Sequence, residues 1–132
     1  MPEPAKHHLV RSESLPKPGG PYSPAVTFAR LVFVSGQGAV DPASGELAGH
    51  DIETQTEQTL KNIASILEAA GSGLSHVLRC GVFLTDIRDF ARMNSVYERM
   101  FGDNRPARTT VQVSSLPKHG LVVEIDAIAY VP

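Results

Sequence analysis

The chain switches between two hydrophobic spacings. Leu121, Val123, Ile125, Ala127 and Ala129 fall on one side of a period-two pattern, with Val122, Glu124, Asp126, Ile128 and Tyr130 on the other. That alternation predicts a strand with one buried face. TTVQVSS, residues 109–115, alternates as well. LVFVSGQ, residues 31–37, is a run of strong strand formers that ends among glycines, Ser35-Gly36-Gln37-Gly38, where backbone can approach closely. Residues 25–28 form the preceding strand of a hairpin. Residues 76–84 give another strand, with Leu78, Cys80, Val82 and Leu84 on one face. A helical period takes over twice. Ile52, Thr56, Leu60, Ile63, Leu67 and Ala70 recur at spacings of three and four, predicting a helix over residues 51–70. Asp51 and Glu53 suit its N-terminal dipole and Gly71 its C-terminal stop. Ile87, Phe90, Asn94, Tyr97 and Phe101 mark a second helix over residues 87–101, N-capped by Asp86.

The resulting order is β-β-α-β-α-β-β, with one short strand ahead of it near Leu9 and Val10. The strands lack the continuous apolar runs of a parallel sheet, so the fold class is α+β: a single mixed sheet with two helices on one face. The other face then carries Val122, Ile128 and Tyr130. It is too apolar to stand in water, which predicts an oligomer. Residues 1–132 read as one domain, of which residues 1–20 are an extended N-terminal segment. KPGGPYSP, residues 17–24, turns over the surface. Tyr22 is held there between prolines, as a packing plug or a site wall; the plug is the simpler reading.

Composition narrows the function. The chain has 132 residues, 42% apolar and 20% charged, with net charge −2, the profile of a folded domain. Twelve basic against fourteen acidic residues leave no excess for a phosphate backbone, so nucleic acid is not the expected partner. The single cysteine, Cys80, cannot form an internal disulfide and sits among apolar neighbours as a small core residue. No stretch approaches the ~20 apolar residues of a membrane span, and MPEPAKHHLVRSES has no apolar signal core. The expected setting is a soluble, reducing compartment: the cytoplasm, if the source is a bacterium. The five histidines share no ligand spacing, so no metal is expected. There is no nucleophile elbow, phosphate-binding loop or complete dinucleotide fingerprint.

What remains is a guanidinium and a carboxylate. Arg108 follows Pro106 at the mouth of one strand, and Glu124 sits in the middle of the next. An Arg fork can grip a small carboxylate through two parallel hydrogen bonds. A Glu beside it can hold or activate water. The two could meet in one pocket. A structural salt bridge, or Glu124 on a solvated patch, fits the same residues. Asn94 is a polar amide on an apolar stripe and needs partners, either a loop or a polar pocket.

Four segments carry a more specific signal. GPYSPAV (20–26) followed by LVFVSGQ, DIETQTEQTLKNIASILEAAG (51–71), VFLTDIRDFARMNSVYERMF (82–101) and RPARTTVQVSSLPKHGLVVEIDAIA (105–129) together resemble the Rid family, the reactive intermediate deaminases also called YjgF. The resemblance covers nearly the whole chain. It implies a chorismate-mutase-like fold, a homotrimer and sites in clefts between subunits. It also implies hydrolysis of 2-imino acids, or their enamine tautomers, released by pyridoxal-phosphate enzymes, to 2-oxo acids and ammonia without a cofactor. Carried over by position, Arg108 clamps the substrate carboxylate and Glu124 positions the attacking water. Tyr22, Ser35, Gly36 and Asn94 line the pocket, and main-chain groups around Thr109 and Thr110 help hold the substrate. Thr110 stands where many members have Cys, and Asp126 where Glu is common. Three other readings fit the resemblance: a non-catalytic carboxylate-binding or stress-response module, a deaminase dedicated to one pathway enamine, and a ribonuclease. The neutral charge makes the last the least attractive.

Overall fold

The computed structural model describes residues 5–132. Six strands, β1 (His8–Val10), β2 (Ala25–Phe28), β3 (Leu31–Gln37), β4 (Val77–Leu84), β5 (Ala107–Gln112) and β6 (Val123–Tyr130), form one sheet in the order β1-β2-β3-β6-β4-β5. All neighbours pair antiparallel except β4 and β5. Helices α1 (Ile52–Ala69) and α2 (Phe90–Phe101) cover one face, giving the expected α+β architecture with a mixed sheet. No helix among the described residues is long and apolar enough to cross a membrane.

The buried row of β6 is the one its alternation predicts. Val123, Ile125, Ala127 and Ala129 are buried with Val32 and Val34 of β3, against Leu60, Ile63, Ile66 and Leu67 of α1. The Asp51 carboxylate accepts from the Thr54 N–H at 2.9 Å and so caps α1. Gly71, at φ +83°, ends it by letting the Ser72 N–H turn back to the Leu67 carbonyl. On the opposite face Leu9, Phe28, Leu31, Phe33, Val111 and Tyr130 are exposed around the half-buried Ile128. A single chain thus leaves a wide apolar sheet face uncovered.

Two expectations need correction. Leu78 is 46% exposed, and Val77 takes the core position instead. The β4–β6 ladder shifts register between Val77 and Arg79, and this bulge turns the strand by one residue. The second helix is broken at its start. Ile87–Asp89 forms a 3-10 turn, where Asp86 accepts from the Arg88 N–H at 2.9 Å, and α2 begins at Phe90. Ile87 and Phe90 are therefore exposed, and Met93 and Val96 join Tyr97 and Phe101 as the buried residues of α2. The last two strands in the chain are separated in the sheet by β4. The chain from β4 through α2 to β5 is a crossover between parallel strands, which puts β5 at the sheet edge and leaves β4 between β5 and β6.

Candidate active site in two halves

Arg108 lies opposite Cys80 in the β4–β5 ladder and shares its helix-covered face. Its guanidinium reaches under α2. Phe90, Asn94 and Tyr97 recur at helical spacing and present one flank to it. An Arg108 Nη2 hydrogen is donated to Asn94 Oδ1 at 2.7 Å. The guanidinium carbon lies 4.7 Å from the Tyr97 ring centre and 5.5 Å from that of Phe90, within cation–π range. Asn94 thus has its partner: it orients the arginine. No carboxylate lies within salt-bridge distance of Arg108 among the described residues, so most of its five donors stay available to an anion.

Thr110 shares the Arg108 face, half-buried opposite Val82, whereas Thr109 faces the other way and its hydroxyl accepts from Arg79 Nη2 at 2.9 Å. Because β5 is an edge strand, alternate main-chain groups of this stretch point outward without a strand partner. Behind the arginine, burial pushes the Cys80 thiol up to about 11 and the Tyr97 phenol above its ordinary value. Both are neutral at ordinary pH. Cys80 is a core residue, as its neighbours predict.

Glu124 lies on the opposite face of the sheet. It helps line a cavity of about 530 Å³ whose walls include Tyr22, Gly36, Gly38, Asn62 and Leu121. Glycine at position 36 follows from close approach: a Cβ there would sit 2.9 Å from Glu124 Cδ. A Cβ at Gly38 would meet Leu121 at 2.7 Å. The β3–β6 ladder shifts register between Val34 and Gln37, and Gly36 lies within this bulge against the glutamate, while Ser35 does not line the cavity. Ser35 is a strap for the Pro-rich segment: its hydroxyl donates to the Ser23 carbonyl at 2.7 Å and its N–H to the Pro24 carbonyl at 2.9 Å. Tyr22 is 52% exposed on the cavity wall and its hydroxyl accepts from the Gly19 N–H at 3.1 Å. It is a wall, and the plug reading is set aside.

Burial, and secondarily the Asp126 charge, push the Glu124 carboxyl above its ordinary value. Both effects disfavour the carboxylate, which makes Glu124 a stronger base when ionised. Asp126 is held by the Gly81 N–H at 2.7 Å.

Within one chain the two halves do not meet. Arg108 and Asn94 belong to the helix-covered face, and Glu124, Gly36 and Tyr22 to the other, so the one pocket in which the pair could meet is not formed within a single chain. Gln37, Gln55 and Asn62 are buried amides that no sequence motif marks. Gln55, Thr59, Asn62 and Ile66 follow helical spacing beside the apolar stripe of α1. That periodicity was the available signal.

A family model described as endoribonuclease L-PSP matches residues 12–131. A RutC family protein of Pyrococcus horikoshii is 48% identical over 122 residues, covering 92% of this chain and 96% of its own. The 2-iminobutanoate/2-iminopropanoate deaminase of Bos taurus is 43% identical over 121 residues, covering 92% of this chain and 88% of its own. The crystal structure of E. coli TdcF with bound serine matches with a TM-score of 0.87 at 36% identity, covering 93% of this chain and 98% of that one.

Proposed function

The chain belongs to the Rid (YjgF) family, and on that footing we propose that it hydrolyses 2-imino acids, or their enamine tautomers, to 2-oxo acids and ammonia. The observation that carries the proposal is the state of Arg108: a guanidinium held on an aromatic floor and oriented by Asn94, with no carboxylate partner among the described residues. It is ready to take the carboxylate of a small substrate. The deaminase name of the bovine relative and the serine bound to TdcF are consistent with a ligand of that size.

Arg108 and Glu124 act on one molecule when a second copy sets its Arg108 groove against the Glu124 cavity of the first. The uncovered apolar face supplies contact area for this, through Phe33, Ile128 and Tyr130. The proposed assembly is the family's homotrimer, with one site at each seam. The chemistry then follows in order. Arg108 binds the substrate carboxylate and fixes the imine carbon in place. Glu124 accepts a proton from water as the water oxygen bonds to that carbon and the C=N electron pair moves onto nitrogen; Glu124 then gives that proton to the nitrogen, leaving a neutral carbinolamine. The carbinolamine then loses ammonia: Glu124 takes the hydroxyl proton as the oxygen forms the ketone, the C–N bond breaks with its electrons leaving on nitrogen, and Glu124 passes that proton to the departing amine. The imine carbon is electrophilic at the outset, so these steps draw on the chain's own residues. The proposed setting is the cytoplasm, where such imines leave pyridoxal-phosphate enzymes.

The test is a trapping assay. An amino-acid oxidase generates 2-imino acids in the presence of semicarbazide. Wild-type protein is expected to suppress semicarbazone formation and Arg108→Ala to leave it unchanged. If the wild type fails with every small amino acid, general imine hydrolysis is excluded for this chain. If Arg108→Ala matches the wild type, the clamp role is wrong.

A further inference from the structure

Two buried amides on α1, seven residues apart, hold the main chain on both sides of the Glu124 cavity. The Gln55 side chain donates to the Gly49 carbonyl at 3.0 Å and the Gly120 carbonyl at 2.9 Å, and accepts from the Val122 N–H at 2.8 Å. Toward residues 120 and 122 it bonds as the peptide of a neighbouring strand would. The Asn62 side chain donates to the Gly38 carbonyl at 3.2 Å and the Val40 carbonyl at 2.8 Å, and accepts from Gln58 Nε2 at 2.9 Å. Gln55 is fully buried and Asn62 nearly so. Their side-chain donors and acceptors are thus used, and on backbone that belongs to no helix or regular strand pair.

What they hold is the ground on which Glu124 stands. Val122 is two residues ahead of Glu124, just before the strand that carries it. Gly38 is two residues past Gly36, which underlies the Glu124 carboxyl. Leu121 packs directly on Gly38. The two pinned segments therefore touch each other, and a shift in either moves the carboxylate relative to the cavity. A simple core position would be filled by leucine at no cost in unsatisfied polar groups. Here two amides answer five backbone groups that loop geometry leaves unpaired.

We infer that Gln55 and Asn62 are positioning residues for the hydrolysis: together they fix the height and direction of Glu124 by clamping residues 120–122 and 38–40 to α1. The inference rests on the reading of Glu124 as the group that activates water. Other charged groups around the cavity are Asp126 on β6 and Lys17, Asp41 and Lys118 on its walls, and neither amide contacts them.

The experiment compares wild type with Gln55→Met, which keeps length without hydrogen bonds, and with Asn62→Leu, which removes the donors to the two carbonyls without adding a charge. The expected result is a fall in kcat of about 10- to 100-fold with KM changed less than about threefold, the size of loss that sub-ångström to ångström misplacement produces. A second reading needs no activity. The Glu124 carboxyl, followed by 13C NMR, is expected to titrate lower in both variants, because a loosened wall admits water. A third needs no variant: the Val122 amide of the wild type is expected to exchange with solvent as slowly as the α1 core. Unchanged kcat and titration in folded variants that merely melt earlier would overturn the inference. So would a Val122 amide that exchanges as fast as the amides of residues 118–120. An inactive wild type would defeat the proposed reaction instead, and the titration and exchange readings would still decide the positioning role.

Discussion

The two halves of the site are built by opposite means. The Arg108 half is made of side chains. A long cation reaches from an edge strand, two rings lie against it, and one amide sets its direction. The Glu124 half is made of backbone. A bulge, two glycines and two clamped loop segments shape a cavity around a short carboxylate. A long flexible cation needs lateral support, because its chain entropy is large. The Glu124 carboxyl lies against the backbone of Gly36, so its place is set by where its strand and that facing backbone lie. The difference says where each half is vulnerable: one to loss of side-chain contacts, the other to small displacements of main chain.

Breaking the side-chain half is expected to have the largest effect. Arg108→Ala should lower kcat/KM by about 10³-fold, and Arg108→Lys by about 10²-fold, because an ammonium keeps the charge and loses the fork. Steady-state kinetics with an oxidase-generated imine measure both. Glu124→Gln should lower kcat by about 10²-fold. Its pH profile adds a sharper sign. Burial and Asp126 raise the Glu124 carboxyl, so protonation on acidification removes the base. The wild type should lose kcat as pH falls through that raised value, above the ordinary glutamate range. The glutamine variant should lack this limb. A wild-type limb at or below the ordinary range would contradict the burial argument.

Smaller effects separate the halves. Gly36→Ala adds a Cβ 2.9 Å from Glu124 Cδ, and should cost roughly 10-fold in kcat with little change in KM. Gly73→Ala, where nothing lies within 4 Å, is the matched control and should be near neutral. Asn94→Ala removes the 2.7 Å bond to the guanidinium, and should act mainly on KM, by about five-fold, as loss of a partly exposed charge-assisted hydrogen bond. An Asn94 effect confined to kcat, or a Gly36 effect confined to KM, would reverse the assignment of the two halves.

The parts of the fold that local pattern controls were legible from the residues. The buried row of β6 and the stripe of α1 follow directly from spacing, because each is fixed within its own element. Leu78 was not, because the bulge that exposes it arises from pairing with a distant strand. The separation of Arg108 from Glu124 was hidden for the same reason: strand order comes from the α2 crossover, and no residue between 105 and 130 records it. The oddity of Asn94 on an apolar stripe did point to a partner, and the partner is Arg108. Gly36 signalled close approach, but what approaches it, Glu124, is 88 positions later in sequence and only pairing brings it there.

The central claim is that a working site takes Arg108 from one chain and Glu124 from another. Co-expression of Arg108→Ala with Glu124→Gln at equal levels, each inactive alone, tests it directly. In a ring assembled at random, a site is intact when an Arg108-bearing chain meets a Glu124-bearing one in the right order, so the co-expressed population as a whole should recover about one quarter of wild-type activity, and a purified mixed trimer about one third. Activity no greater than the sum of the two variants alone, in oligomers proven to be mixed, would contradict the account.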